Sequence, residues 1–369
     1  MTRAPRTVIQ LKTDCRSFRG DIPCKPHKQF GVHCVDSEGT ACPYYDPVHE
    51  KILIIKLGAV GDVIRTTPLL RKVKEQYPRA KIFWLTLAPE ILPSIVDEAL
   101  EFSLRNIVAL RSIHFDVLYN LDKDREACAL AAQITARKKK GFTLKGGVIS
   151  PIDKAAEPKY LAGVFDDLGK ANIKSYPEEL FEICGFSFNG ERYILESQPF
   201  DSSAWKIARR KKVVGLNTGC GGRWTSRLWD EKNWVSLART LKRKGYEVIL
   251  LGGEQEHEKN RRLAKLSQAK YFGHYPLQQF IRLVDRCDLV VTGVTMAMHI
   301  TIGLGKKIVL FNNIFNKNEF ELYGQGVILE PEKPCRCFYQ ATCTNTEYRC
   351  MEHLQVKHVA QAVDKLLRH

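Results

Sequence analysis

No apolar run in this 369-residue chain approaches the roughly 18 consecutive residues that a membrane-spanning helix needs. The opening segment MTRAPRTVIQLKTDC lacks the uninterrupted apolar core of a signal peptide, so a cytoplasmic protein is expected. No G-x-G-x-x-G follows a predicted strand, and a dinucleotide fingerprint is therefore not claimed. There is no repeat of 20–50 residues and no low-complexity tract, which sets aside solenoids and arrays. Zinc-finger, homeodomain and RRM signatures are missing too, and the basic residues do not alternate with aromatics along one element.

The composition is that of a folded soluble protein. Hydrophobic residues make up 44% and charged residues 27% of the chain, which excludes disorder over most of its length. At about 150 residues per domain, the length suggests two domains. The net charge is +16. Its excess sits in the second half, where residues 201–369 carry 28 Lys and Arg against 16 Asp and Glu. Such a surface suits a polyanionic ligand such as nucleic acid, an anionic lipid surface or a phosphorylated small molecule.

Two stretches read as opening strands of doubly wound α/β units, Lys51–Lys56 and Lys212–Asn217. Each is a short β-branched run ending in a Gly-containing turn and followed by a helix-period segment. The first leads to an expected helix over Val63–Tyr77, a strand over Lys81–Thr86, a helix over Pro89–Ala99 and a strand over Phe115–Leu121. The second leads to helices over Glu231–Lys244, Glu254–Ser267 and Met296–Leu304, alternating with strands over Tyr246–Leu251, Leu289–Thr292 and Lys307–Phe311. A last amphipathic helix covers Val356–Leu367. The expectation is an α/β fold of two Rossmann-like domains, residues 50–200 and 201–369, joined near residues 196–211 and preceded by a Cys-rich extension, residues 1–49.

The first strand runs into Lys56-Leu-Gly-Ala-Val-Gly-Asp62-Val-Ile-Arg-Thr-Thr-Pro68. Gly58 and Gly61 permit a tight turn, and Asp62 stands at a helix start at the carboxyl end of the strand, where open α/β sheets bind ligands. On chemistry alone, Asp62 is either a helix cap or a base. Thr218-Gly219-Cys-Gly-Gly222 is a small-residue turn suited to a phosphate, with Arg223 and Arg227 just beyond it.

These residues carry a resemblance. Ile54–Pro68, Gly215–Trp229, Val248–Glu254 and Asp288–Gly305 resemble, in order, the motifs of the bacterial heptosyltransferases, glycosyltransferase family 9. The likeness covers roughly residues 50–369 and implies a GT-B architecture, with an acceptor domain and a nucleotide-sugar donor domain facing a cleft. It also implies inverting transfer without a catalytic metal, ADP-heptose as donor, and a lipopolysaccharide core or a protein as acceptor. By that resemblance Asp62 is the general base, Arg227 contacts the diphosphate as Thr218, Gly219 and Arg223 line it, and Glu254 holds the ribose. For Arg227 the alternative is a surface charge, for Glu254 a helix-start carboxylate, and Trp224 and Trp229 read as packing. The family's Asp-Thr-Gly motif with a His four residues after the Thr is matched by Thr295 and His299, but Val294 and Met296 replace its Asp and Gly. That departure resembles the subgroup that heptosylates proteins, including autotransporter adhesins. Contact with the anionic inner membrane would suit the basic half. Two rival functions are a metal-containing nucleic-acid-binding protein and a sugar-nucleotide epimerase of the same fold.

Twelve cysteines fall into two sets and four singletons. Cys335, Cys337, Cys343 and Cys350 sit in one loop, residues 333–351, and reduced thiols so closely spaced commonly hold Zn or Fe. The resemblance agrees, because some protein heptosyltransferases carry a comparable iron cluster. Cys15, Cys24, Cys34 and Cys42 are spaced more widely than a zinc finger's, with His27 and His33 as possible substitutes, and read as a structural metal site or as inert thiols. Cys128, Cys184, Cys220 and Cys287 read as small core residues.

Overall fold

The computed structural model describes residues 10–199, 205–207 and 210–368. Its frame is two sheets. The first holds β1 (Lys51–Ile55), β2 (Lys81–Thr86), β3 (Glu98–Glu101), β4 (His114–Asn120), β5 (Thr135–Lys145) and β6 (Val148–Pro151), in the order β3-β2-β1-β4-β5-β6. All neighbours are parallel except β5 and β6. The second sheet is wholly parallel and holds β7 (Val213–Asn217), β8 (Glu247–Leu251), β9 (Leu289–Gly293), β10 (Lys307–Phe311) and β11 (Gly326–Leu329), in the order β11-β10-β9-β7-β8. β1 and β7 are nearly continuous apolar runs because helices cover both faces of a parallel sheet.

On one face of the second sheet the helices Glu231–Arg243 and Val356–Arg368 pack over Val214, Leu216 and Val309. On the other, the helices Leu277–Asp285 and Met296–Gly303 face the first sheet, and a single apolar cluster runs from Ile52, Val63 and Ile64 to Met298, Ile300 and Ile302. The two halves thus share a core where the Val60–Ile64 helix meets the Met296–Gly303 helix.

Two expected helices are corrected. The one placed over Val63–Tyr77 is broken into Val60–Ile64 and Leu69–Gln76. Pro68 lacks an N–H and disfavours helical geometry before it, while the Thr66 and Thr67 hydroxyls donate to Asp62 O and Ile64 O, both at 2.7 Å. The one over Pro89–Ala99 is a single 3-10 turn, Pro89–Ile91, followed by the edge strand β3, whose Glu side chains suit an exposed margin. The join expected at 196–211 lies partly outside the described residues.

Residues 10–49 hold one short helix, Lys25–Phe30, and are docked on the first sheet by Arg16, which reaches Asp46 at 2.7 Å, Asp97 at 2.8 Å and the Ala80 carbonyl at 2.9 Å. Among the described residues no helix is long and apolar enough to cross a membrane.

Candidate active site between the two halves

β1 ends in a turn pinned by a residue that the sequence did not single out. Asp122, just past β4, accepts from the backbone N–H groups of Leu57 and Gly58 at 2.8 Å each and lies 3.4 Å from the buried Lys56 ammonium. The turn then starts the Val60–Ile64 helix, with Asp62 in its first turn. Asp62 makes no cap hydrogen bond. Its Oδ1 instead lies 2.7 Å from Arg65 Nη2, one turn on along the same helix face. Arg65 is laid over the Tyr176 ring, 3.4 Å from its centroid. Burial alone would raise the Asp62 carboxyl, but Arg65, Lys56 and His299 outweigh it and hold it down to about 2. At neutral pH it is an anion.

His299 comes from the other half and is buried against Gly61. Burial, helped by Arg65 and opposed by Asp62, lowers its imidazole to about 3, so the ring is neutral. Tyr193 stacks on it at 6.2 Å, and His299 Nδ1 has no partner among the described residues.

Beside this group lies a cavity of about 560 Å³. Val60 forms its wall from the first half. From the second come Gly219, Cys220, Arg227, Glu254, Glu256 and Thr295. Arg227 is fixed at the rim, donating from Nη1 to Val294 O and from Nη2 to Cys220 O at 3.3 Å, while its buried Nε–H has no acceptor among the described residues. Asn217, at the end of β7, donates to Thr292 Oγ1 at 3.0 Å, to Thr295 Oγ1 at 3.2 Å and to Gly219 O at 3.2 Å, tying the two loops of the pocket together. A fixed guanidinium beside a glycine turn is a setting that suits an anionic phosphate group.

Several expected residues stand elsewhere. Thr218 turns inward, donating to Asn260 Oδ1 at 2.6 Å. Arg223 is exposed, its guanidinium 5.4 Å from the Trp224 centroid and away from the cavity. Asp62 and His299 are not among the residues that line this cavity. Glu254 lines the cavity but is exposed, whereas Glu256 lays its carboxylate on Gly219 and accepts from Gly253 N at 3.0 Å and Gly221 N at 3.4 Å. A carboxylate caged in the glycine turn was missed because the sequence offers two acidic residues two apart and no means to rank them. Trp229 packs as expected, against Trp234 and Phe311, and its N–H donates to Leu354 O. Cys128, Cys184 and Cys287 are buried, but Cys220 is half-exposed at the cavity, a correction of its core placement.

The cysteine sets are not gathered into a metal centre. Among the described residues no three His, Cys, Asp or Glu side chains are gathered as a metal ion would need. Cys15, Cys24, Cys34 and Cys42 are half-buried free thiols, related by a Cys42 N to Cys34 O hydrogen bond rather than by their sulfurs. In the second set the thiols associate in pairs. Cys337 and Cys343 are 3.8 Å apart and the free Cys335 thiol is hydrogen-bonded to Cys350, which lowers the Cys350 thiol and raises that of Cys335. A Zn–S bond of about 2.3 Å gives a tetrahedral S–S edge of about 3.8 Å, so the Cys337–Cys343 pair has the spacing of two such ligands.

The sequence profile of glycosyltransferase family 9 (heptosyltransferase) matches residues 104–327, more than half of the chain. The chain belongs to glycosyltransferase family 9. It is therefore a glycosyltransferase, and the nucleic-acid-binding and epimerase readings fall away. Lipopolysaccharide heptosyltransferase 2 of Salmonella typhimurium is 25% identical over 290 residues, covering 70% of this chain and 81% of that protein. Its Escherichia coli K12 namesake is 24% identical over the same length and shares. Among solved structures, a family 9 glycosyltransferase of Veillonella parvula superposes with a TM-score of 0.63 at 18% identity, over 87% of this chain and 98% of that one. E. coli ADP-heptose lps heptosyltransferase II gives 0.63 at 18% identity over 86% and 98%. The iron-containing dodecameric glycosyltransferase TibC of enterotoxigenic E. coli gives 0.54 at 14% identity over 87% and 77%. These superpositions identify the architecture as GT-B.

Proposed function

We propose that this family 9 enzyme transfers a heptose-type sugar, with inversion, from a nucleoside diphosphate donor to an acceptor hydroxyl. The observation that carries the reading is the cavity lined by Val60 on one side and by Gly219, Arg227 and Glu256 on the other, with Asp62 on the same short helix as Val60. The donor's diphosphate would lie on the glycine turn against Arg227, with Glu254 or Glu256 receiving the ribose hydroxyls. The acceptor oxygen attacks the anomeric carbon, its proton passes to the Asp62 carboxylate, and the nucleoside diphosphate leaves with its charge stabilised by Arg227 and the turn's N–H groups. Asp62 then returns the proton to solvent. ADP-heptose as donor draws support from the solved relative named for it.

For the acceptor, the relatives' names favour a lipopolysaccharide core, reached from the cytoplasm at the inner membrane surface, where the +16 charge would favour anionic lipid. A protein acceptor is the second reading, favoured by Val294 and Met296 in place of the family's Asp and Gly. Cys335, Cys337, Cys343 and Cys350 would hold a structural Zn or Fe outside the reaction, and the chemistry needs no metal.

Mass spectrometry of the purified protein incubated with ADP-heptose, other nucleotide sugars and each acceptor class tests the proposal. Addition of one heptose to a lipid-linked or a protein acceptor is the expected result. Release of free sugar only, or use of no nucleotide sugar, would overturn it.

A further inference from the structure

One helix of the first half is apolar on two sides, and only one of them is covered. The helix Leu104–Arg111 crosses from β3 to β4 on the face of the first sheet turned away from the second half, where Ile107 and Leu110 join the cluster of Leu53, Leu85 and Leu118. Leu104 and Val108 lie on the other side, 77% and 56% exposed. A helix apolar on both sides is ordinarily buried on both, yet among the described residues nothing covers this one.

The uncovered side is patterned. Leu104 and Val108, four residues apart, stand one above the other, and at about 100° per residue Arg111 falls on one flank of the pair and Arg105 on the other. Neither guanidinium has a carboxylate partner among the described residues. No acidic residue stands between Phe102 and Phe115. Asp116, just beyond, is occupied, accepting from Lys51 N–H at 2.9 Å and lying 3.8 Å from Arg137. The helix is also held in place. Asn106 Nδ2 donates to Glu101 O at 2.8 Å, and Ile107 N–H to Ser103 O at 2.9 Å.

Leu87 extends the surface. It follows β2 and is 60% exposed, and the Thr86–Glu101 register sets it level with Phe102, just before the helix begins. This is the carboxyl edge of the sheet, from which the turn bearing Asp62 also leaves. With strands about 4.8 Å apart, β3 lies about 10 Å from β1 along that edge.

Apolar side chains in a row, flanked by arginines whose stems can lie along the acyl boundary while their charges stay among headgroups, match the anatomy of an interfacial helix. Other exposed surfaces lack one part of it. Val164, Phe165, Leu168 and Ile173 are exposed but share their segment with Asp166 and Asp167, which an anionic surface repels. The second half carries the positive excess, but its large exposed apolar residues among those described are Leu228, Leu266 and Met296, far apart in sequence. Two-fold pairing with a second copy would set Arg105 and Arg111 against their own counterparts, with no acid on the helix to offset them.

We propose that Leu87, Leu104 and Val108, with Arg105 and Arg111, form a docking face for an anionic phospholipid bilayer, which holds the ligand edge of the acceptor half at the membrane surface. The inference deepens the lipid-linked acceptor reading given above and rests on it. The basic second half supplies long-range attraction, and this face supplies the insertion.

The test is cosedimentation of the full chain with vesicles of phosphatidylethanolamine and phosphatidylglycerol, and with vesicles of phosphatidylcholine alone. The parent should bind the first and bind the second at least about tenfold more weakly. Leu104→Gln/Val108→Gln and Arg105→Gln/Arg111→Gln should each lower binding to the anionic vesicles about tenfold, while Ile173→Ser stays within about twofold of the parent. Leu87→Gln, outside the helix, should lower it about threefold and keeps the test decisive if a helix variant loses melting temperature. Absence of vesicle binding by the parent, equal binding by all these variants, or an equal loss in Ile173→Ser overturns the proposal. So does an oligomer that Leu104→Gln/Val108→Gln dissolves while neither protein binds vesicles, which would assign the face to a second copy. Sugar transfer is scored separately, along with ADP affinity by calorimetry. A protein that transfers heptose but ignores vesicles loses the membrane face and keeps the proposed reaction, whereas one that binds vesicles through this face and transfers nothing keeps the face and loses the reaction.

Discussion

Gly61 leaves no room for a side chain against His299: a Cβ there would fall 2.5 Å from His299 Cδ2. The two residues belong to different halves, and their contact fixes how closely the helix bearing Asp62 approaches the helix that starts at the donor cavity. A Gly61→Ala methyl must displace a fully enclosed ring that is stacked on Tyr193. Overpacking of this kind costs about 1–3 kcal/mol, so the denaturation midpoint should fall accordingly. An unchanged midpoint would mean that the two helices slide apart freely.

His299 also makes stability depend on acidity. Its imidazole is lowered by burial to about 3, against about 6.5 in an unfolded chain. The stability it contributes is complete above about pH 6.5 and is lost as pH falls toward 3, since only the unfolded chain takes up the proton, at about 1.4 kcal/mol per pH unit. His299→Gln should flatten the decline in stability between about pH 6 and pH 4 in urea titrations. The same slope in both proteins would assign it elsewhere.

The alternation of apolar strands and helical periods predicted four of the five strands of the second sheet, because each of β7 to β10 is an apolar run buried on both faces, and missed the short edge strand β11. The first half was less legible. β5 reads TARKKKGFTLK, a charged run that resembles a loop; its charges are accommodated at the sheet's margin, with Lys139 reaching the Ala131 carbonyl and Lys140 paired with Asp153. Within the site, Asp62 and Arg227 stood out through their motifs. Arg65 was not singled out, although it stands three residues after Asp62, and its contact with Tyr176 comes from more than a hundred residues on. Asp122 and Glu256 carry no local signal, since each acquires its partners only through the fold.

Asp62→Asn keeps the side chain's shape and removes its capacity to accept a proton. Turnover should fall by about 10²–10⁴ while donor affinity stays nearly constant. Single-turnover assays with saturating donor check this, and a normal rate would leave Asp62 as a partner of Arg65 alone.

Arg227 is held at the cavity rim by two carbonyls, and burial lowers its guanidinium, consistent with a charge kept in place for an anion. Arg227→Ala should weaken ADP binding by about 1.5–3 kcal/mol through loss of a charge-assisted contact. Calorimetry showing unchanged ADP affinity would remove it from the donor site.

The Cys-rich loop has little core of its own, yet it packs against the segment that carries Arg227 and against the Lys317–Glu319 turn. Its Gln340 and Ala341 carbonyls accept from Ser226, next to Arg227, while its Tyr339 reaches Glu319. Asn313 joins the two ends, donating to Ser226 O and to Cys350 Sγ. Four thiols brought together here as thiolates would repel one another, and a cation that offsets the repulsion would also contribute folding energy to the segment. Protein purified without chelator should therefore carry about one to two equivalents of Zn or Fe, and Cys335→Ser combined with Cys350→Ser should remove about one. The same variant should make residues 333–351 more open to limited proteolysis and lower ADP affinity through Ser226 and Arg227. Elemental analysis finding no transition metal in freshly purified, reduced and active protein would sink the metal, and the paired thiols would then act by packing and hydrogen bonding alone.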